Sequence, residues 1–199
     1  MISIIIPAKK EKHLQDTIDS LKEHAKGEIE ILAREDYGIG QRALMNELVK
    51  EARGEYIMKC DAHCIFSKDF DTRLLDKMDN KTIMSPYLLS IDEEDWTPRP
   101  RPLMSEYAFD TNMVMQHVPS SSDDLMVETM CLQGSCWVVD RQTYWAWNLG
   151  EEELGSWGFQ GTELGIKAYL NGGRCVTNKD CFYAHLFRQT PDKFPYDRD

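Results

Sequence analysis

Apolar and polar positions along this chain follow two periods. Ile2-Ser3-Ile4-Ile5-Ile6 is an almost unbroken apolar run and reads as a strand buried on both faces. Glu11–Lys26 then sets Leu14, Ile18, Leu21 and Ala25 on one stripe, with Gly27 just beyond, which predicts an amphipathic helix. Ile29–Ala33 and Tyr56–Cys60 read as further strands. Between them Gln41–Ala52 spaces Leu44, Leu48 and Ala52 four apart, as a helix does. Ser67 is placed to cap a third helix that aligns Phe70, Leu74 and Met78, and Thr82–Pro86 reads as a fourth strand. Alternating strands and helices predict an α/β fold with a mostly parallel sheet covered on both faces.

The periodicity weakens over residues 88–127. Asp92-Glu93-Glu94-Asp95, Pro98-Arg99-Pro100-Arg101-Pro102 and Ser120-Ser121-Ser122 are loop-like, and the stretch reads as a functional insertion or a lid. Order returns with a strand near Leu132–Val139, a helix near Thr162–Leu170 ending at Gly172-Gly173, and short strands near Arg174–Thr177 and Phe182–Leu186. No repeat or linker divides the chain. One domain is expected, with a first half over 1–87, a variable region over 88–130 and a second half over 131–199.

Composition narrows the classes. Lys plus Arg is 23 against 34 for Asp plus Glu, a formal charge of −11 in 199 residues. Broad phosphate contact with nucleic acid is therefore disfavoured, although a local basic pocket is not. The apolar opening is too short for a signal or membrane segment, so the expected compartment is a reducing cytoplasm. The six cysteines (60, 64, 131, 136, 175 and 181) contain no CxxC and read as free thiols, with a structural zinc site as the lesser alternative.

Asp61-Ala62-His63 follows the strand Tyr56–Cys60 directly. In extended chain, residues i and i+2 point the same way, so both side chains face one point. That point lies at the carboxyl end of a central strand, where open α/β sheets bind ligands. A carboxylate and an imidazole suit a divalent ion such as Mn²⁺, and a simple Asp–His hydrogen bond in a turn fits the same spacing. His185, in an apolar strand, reads by itself as a core histidine.

A series of segments carries a resemblance. Ile2-Ser3-Ile4-Ile5-Ile6-Pro7-Ala8, Glu35-Asp36, Ala52-Arg53-Gly54-Glu55-Tyr56-Ile57 and Asp61-Ala62-His63-Cys64 resemble the nucleotide-sugar half of GT-A glycosyltransferases of family 2, and in particular the polypeptide N-acetylgalactosaminyltransferases with their Asp-x-His. Gly134-Ser135-Cys136-Trp137-Val138-Val139-Asp140 is similar to that family's Gly-Gly-x-x-x-Ile-Asp strand. Trp157-Gly158-Phe159-Gln160-Gly161-Thr162-Glu163 resembles its Trp-Gly-Gly-Glu-Asn-x-Glu, and His185-Leu186-Phe187-Arg188 its His-Val-Phe-Arg. The departures are Phe159 for the second Gly and Gln160 for the Glu, which leave the sugar open.

The resemblance implies a metal-dependent transfer from a UDP-sugar to an acceptor hydroxyl. Asp61, His63 and His185 would ligate Mn²⁺. Arg188 would pair with the diphosphate, and Arg188–Pro195 would close over the donor. Pro7, Glu35 and Asp36 would border the nucleotide, with Asp36 or Glu35 accepting from the uracil edge. Arg42 is a further phosphate contact, and Trp157 and Gln160 would line the sugar pocket. Glu163 is the nearest candidate for a catalytic carboxylate. Family 2 inverts configuration with such a base and the N-acetylgalactosaminyltransferases retain it; the motifs lean to retention. A peptide, a saccharide and a hydroxymethylated base of phage-type DNA all stay open as acceptor. The alternative is a binding module that keeps the fold without the reaction.

Overall fold

A computed structural model describes residues 1–104, 106–118, 122–156 and 158–188. The chain runs β1 (Ile2–Ala8), α1 (Leu14–His24), β2 (Ile29–Glu35), α2 (Gln41–Glu51), β3 (Tyr56–Cys60), β4 (Cys64–Phe66), α3 (Phe70–Leu75), β5 (Thr82–Asp92), β6 (Thr97–Met104), β7 (Glu106–Phe109), β8 (Met115–Val118), β9 (Met126–Thr129), β10 (Cys136–Asp140), α4 (Arg141–Ala146), α5 (Gln160–Leu170) and β11 (Arg174–His185).

The main sheet has the order β2-β1-β3-β10-β5-β11-β4. β1 pairs parallel with β2 and β3, and β5 pairs parallel with β11. β10 is antiparallel to both β3 and β5, so β2, β1, β3, β5 and β11 share one direction, as the alternating pattern predicts. Strand alternation builds two cores. Ile2, Ile4 and Ile6 point into a layer with Leu21 of α1 and Phe70 and Leu74 of α3. Ile5 points the other way, against Leu44 and Leu48 of α2, Tyr144 of α4 and Leu164 of α5. Burial of these apolar side chains on both faces supplies most of the driving force for the fold.

Three expectations are corrected. Residues 88–127 are largely strands, not an insertion without structure: β5 continues to Asp92, β6 folds back on it, β7 and β8 form a separate ribbon, and β9 pairs with β11. The prolines hid β6. Pro98, Pro100 and Pro102 alternate, so their missing N–H groups fall on one side of a strand that, among the described residues, pairs with β5 alone, the place where a strand tolerates proline. The two short strands near the end are one strand, β11, with a register shift between Asn178 and Phe182. Ser67 does not cap α3; its hydroxyl accepts from the Phe182 N–H, and Asp69 stands at the helix start. All six cysteines are free, as expected, and all six are buried. No helix among the described residues is long and apolar enough to cross a membrane.

Candidate functional site

The site forms where β3 and β11 end. Asp61 leaves β3 and fixes its backbone by donating its N–H to Ser135 O at 2.9 Å. Two residues on, His63 accepts the Leu186 N–H on its carbonyl at 3.1 Å. His185 ends β11 in register with Cys64 of β4. A chain separation of 124 residues is closed in this way: His185 Nε2 lies 3.1 Å from Asp61 Oδ2, and the His63 and His185 rings are 4.7 Å apart. One donor atom from each of Asp61, His63 and His185 lies within 4.8 Å of the others. Two imidazoles and a carboxylate at this separation fit a single divalent ion of the Mn²⁺ or Zn²⁺ kind.

Two charged residues frame the cluster. Lys59 forms an ion pair with Asp61 and donates to Gly134 O at 2.8 Å. Glu11 lies 3.3 Å from His63 Nδ1 and also pairs with Arg188. Burial raises the cost of charge on Asp61, but Lys59, His185 and His63 outweigh it and hold the carboxyl far below the usual range. Burial pushes His185 down to about 4, so its imidazole is neutral at neutral pH and free to ligate. Glu11 is likewise buried, yet His63 and Arg188 keep it below the ordinary carboxylate value.

The cluster opens on two adjoining cavities. One, of about 70 Å³, is lined by Pro7, Ala8, Lys9, Asp36 and Ser156 together with Asp61 and His63. The other, of about 410 Å³, is lined by Lys59, Gly134, Gln160, Phe159, His185 and Arg188 among others. The structure thus brings together Pro7, Asp36, Asp61, His63, Gln160, His185 and Arg188. Asp36 reaches its cavity as the centre of a turn, its Oδ1 accepting from Gly38, Ile39 and Gly40 at 2.9, 3.0 and 3.1 Å. Glu35 is exposed and accepts from the Lys10 N–H instead. Trp157, and the segment that follows Arg188, lie outside the described residues.

Arg42 and Glu163 are corrected. Arg42 is 2% exposed and spends its guanidinium on Glu163 Oε2 at 3.2 Å and on the carbonyls of Gly155 and Gly158 at 2.9 and 2.8 Å. Buried in this way and lining neither cavity, it is out of reach of a phosphate bound there. Glu163 is 1% exposed at its side chain, and its other oxygen is held by Lys167 at 2.7 Å. It cannot reach an acceptor hydroxyl in the cavity, which is what a general base requires. Lys59 and Glu11 were missed. A lysine inside the otherwise apolar run Tyr56–Cys60, two residues before Asp61, was the available signal for the first. Nothing local marks Glu11, which lies ahead of α1 rather than inside the helix that Glu11–Lys26 predicts.

The family description glycosyl transferase family 2 matches residues 34–145, over half of the chain, and the chain belongs to that family. Human polypeptide N-acetylgalactosaminyltransferase 10 is 28% identical over 158 residues, which cover 72% of this chain and 26% of that protein. The putative polypeptide N-acetylgalactosaminyltransferase 10 of Caenorhabditis briggsae is 27% identical over 148 residues, 70% of this chain and 23% of its own. The chain therefore spans about a quarter of these relatives. Among solved structures, GalNAc-T7 with UDP, GalNAc and Mn²⁺ matches with a TM-score of 0.84 at 16% identity, covering 94% of this chain and 43% of that one. S. aureus TarS 1–349 in complex with UDP-GlcNAc matches at 0.60 with 14% identity, covering 95% and 59%. The fold is GT-A.

Proposed function

We propose that this chain is a glycosyltransferase unit that binds a UDP-sugar (a hexose or N-acetylhexosamine) with a divalent cation and transfers the sugar to an acceptor hydroxyl with retention of configuration. The observation that carries this reading is the Asp61, His63 and His185 cluster at the carboxyl ends of β3 and β11, open to both cavities. The similar structures of GalNAc-T7 with UDP, GalNAc and Mn²⁺ and of TarS with UDP-GlcNAc point the same way.

Each residue has a part in this reading. The cavity bordered by Pro7 and Asp36 takes the nucleoside, and the larger one takes the sugar and acceptor. Asp61, His63 and His185 would hold the cation, which when bound would offset the charge of UDP as it leaves. Glu11 fixes the His63 ring through Nδ1, leaving Nε2 for ligation. Arg188 adds a guanidinium that matches phosphate oxygens once it is drawn from Glu11. Gln160 lines the sugar side. Retention is supported by charge: among the described residues that line the larger cavity, Asp61 is the one carboxylate, and it is already committed to the cation. The proton of the acceptor then passes to an oxygen of the departing diphosphate. Residues 1–87 make the nucleotide half, and 88–130 the acceptor side.

Calorimetric titration with UDP, with and without Mn²⁺, tests the reading. Binding is expected to tighten with Mn²⁺, and this gain should disappear in His63→Ala and His185→Ala. Equal affinity with and without the ion overturns it. A panel of UDP-sugars, followed by UDP release, then identifies the donor.

A further inference from the structure

Lys59 is a residue that neither the strand nor the metal cluster requires. It stands on β3 two positions before Asp61, so the two side chains leave the same face. Its register partners on the flanking strands are Ile5 and Trp137, and its side chain is 2% exposed. Lysine is almost never buried to this degree unless it is paired. Of its three ammonium hydrogens, one goes to Asp61 and one to the Gly134 carbonyl. Lys59 is one of the residues lining the 410 Å³ cavity, together with Asp61, Gln160 and His185.

The charges around the centre balance. Lys59 faces Asp61, Arg188 faces Glu11, and Lys9 faces Asp36 at 3.6 Å. Before anything binds, Lys59 therefore cancels the one carboxylate of the metal cluster. A cation fixed there acts oppositely on the two ligands. It competes with a divalent ion for Asp61 and repels it. It attracts a diphosphate, and at a buried ammonium both effects are stronger than in bulk solvent.

We propose that Lys59 is a resident cation of the donor site that trades metal affinity for diphosphate affinity, so that a nucleoside diphosphate binds before the metal and then recruits it. The proposal rests on the reading of the cleft as a nucleotide-sugar site. Once a diphosphate is bound, its charge offsets Lys59 and the metal binds more tightly. By linkage the metal strengthens the nucleotide by the same factor.

The test uses Lys59→Met, which keeps the length and removes the charge, and Lys59→Arg, which keeps the charge. Two affinities are measured: Mn²⁺ without nucleotide, from the spectrum of free Mn²⁺, and UDP in the presence of a chelator, by calorimetry. In Lys59→Met, Mn²⁺ affinity should rise about tenfold while metal-free UDP affinity falls about tenfold. Lys59→Arg should leave both within about threefold of the original. If Lys59→Met lowers Mn²⁺ affinity or leaves both values unchanged, Lys59 only props Asp61 and the proposal fails, while the donor reading stands. If the unaltered chain binds no UDP even with Mn²⁺, the donor reading fails. Circular dichroism checks folding, and Lys59→Gln, for which the same signs are expected, replaces the Met variant if that one does not fold.

Discussion

Two buried ion pairs lie close to the same cleft, and they differ in one respect. Arg42 and Glu163 are 2% and 1% exposed at their side chains, and their charged groups are held by partners inside the protein. Lys59 is equally buried, but its partner Asp61 is 22% exposed and faces the cavities. The first pair is sealed and serves the architecture: it joins α2 to α5 and holds the carbonyls of Gly155 and Gly158. The second is open on one side, and that opening is what allows a ligand to use it. Charge and burial alone do not separate a structural carboxylate from a working one. A free path from an oxygen to the cavity does.

The largest expected effect falls on the sealed pair. Arg42→Ala or Glu163→Ala strands a charge in the interior and should cost about 3–5 kcal/mol of stability, read from urea unfolding. A loss below about 1 kcal/mol would break the contrast. On the open side, Glu11→Gln should lower Mn²⁺ affinity by about 10–100-fold while the urea midpoint changes little, because Glu11 acts through the orientation of His63. A large drop in stability with unchanged Mn²⁺ binding would move Glu11 into the sealed class. The smallest effect concerns Asp36. Burial opposes its charge, but N–H groups of Gly38, Gly40 and Ile39, with Lys9, outweigh it and hold the carboxyl below its ordinary value of 3.8. The unfolded chain thus takes up the proton first. The stability that this turn contributes is complete above about pH 4 and fades as pH falls through the lower folded value. Asp36→Asn should flatten that part of a thermal stability curve between about pH 2 and pH 5. An unchanged slope would mean that the turn contributes nothing through its charge.

The open side was the more legible in the sequence. Asp61 and His63 announce themselves by an i, i+2 spacing after an apolar strand, and the parallel α/β core follows from the alternation of residues 2–86. His185 needed the resemblance, since a histidine in an apolar strand has no local mark. The sealed side was misread because Arg42 and Glu163 are 121 positions apart, and polar residues on amphipathic helices look alike whether they face solvent or each other. Their chemistry was assigned to ligands when it belongs to packing. β6 was missed for a different reason: alternating proline erases the usual signature of a strand while remaining compatible with an edge.

The position of β11 has a consequence for how the chain comes together. This strand, residues 174–185, lies between β5 and β4 in the sheet, and its last residue is His185. The short β4 depends on it for its main-chain partner. During synthesis Asp61 and His63 emerge long before the strand that carries His185, the third member of the cluster. Contacts between residues this far apart in sequence form late in folding. The Asp61, His63 and His185 cluster is therefore assembled by the closing of the sheet, and if it takes up Mn²⁺ as proposed, that uptake by a refolding chain would time the docking of β11.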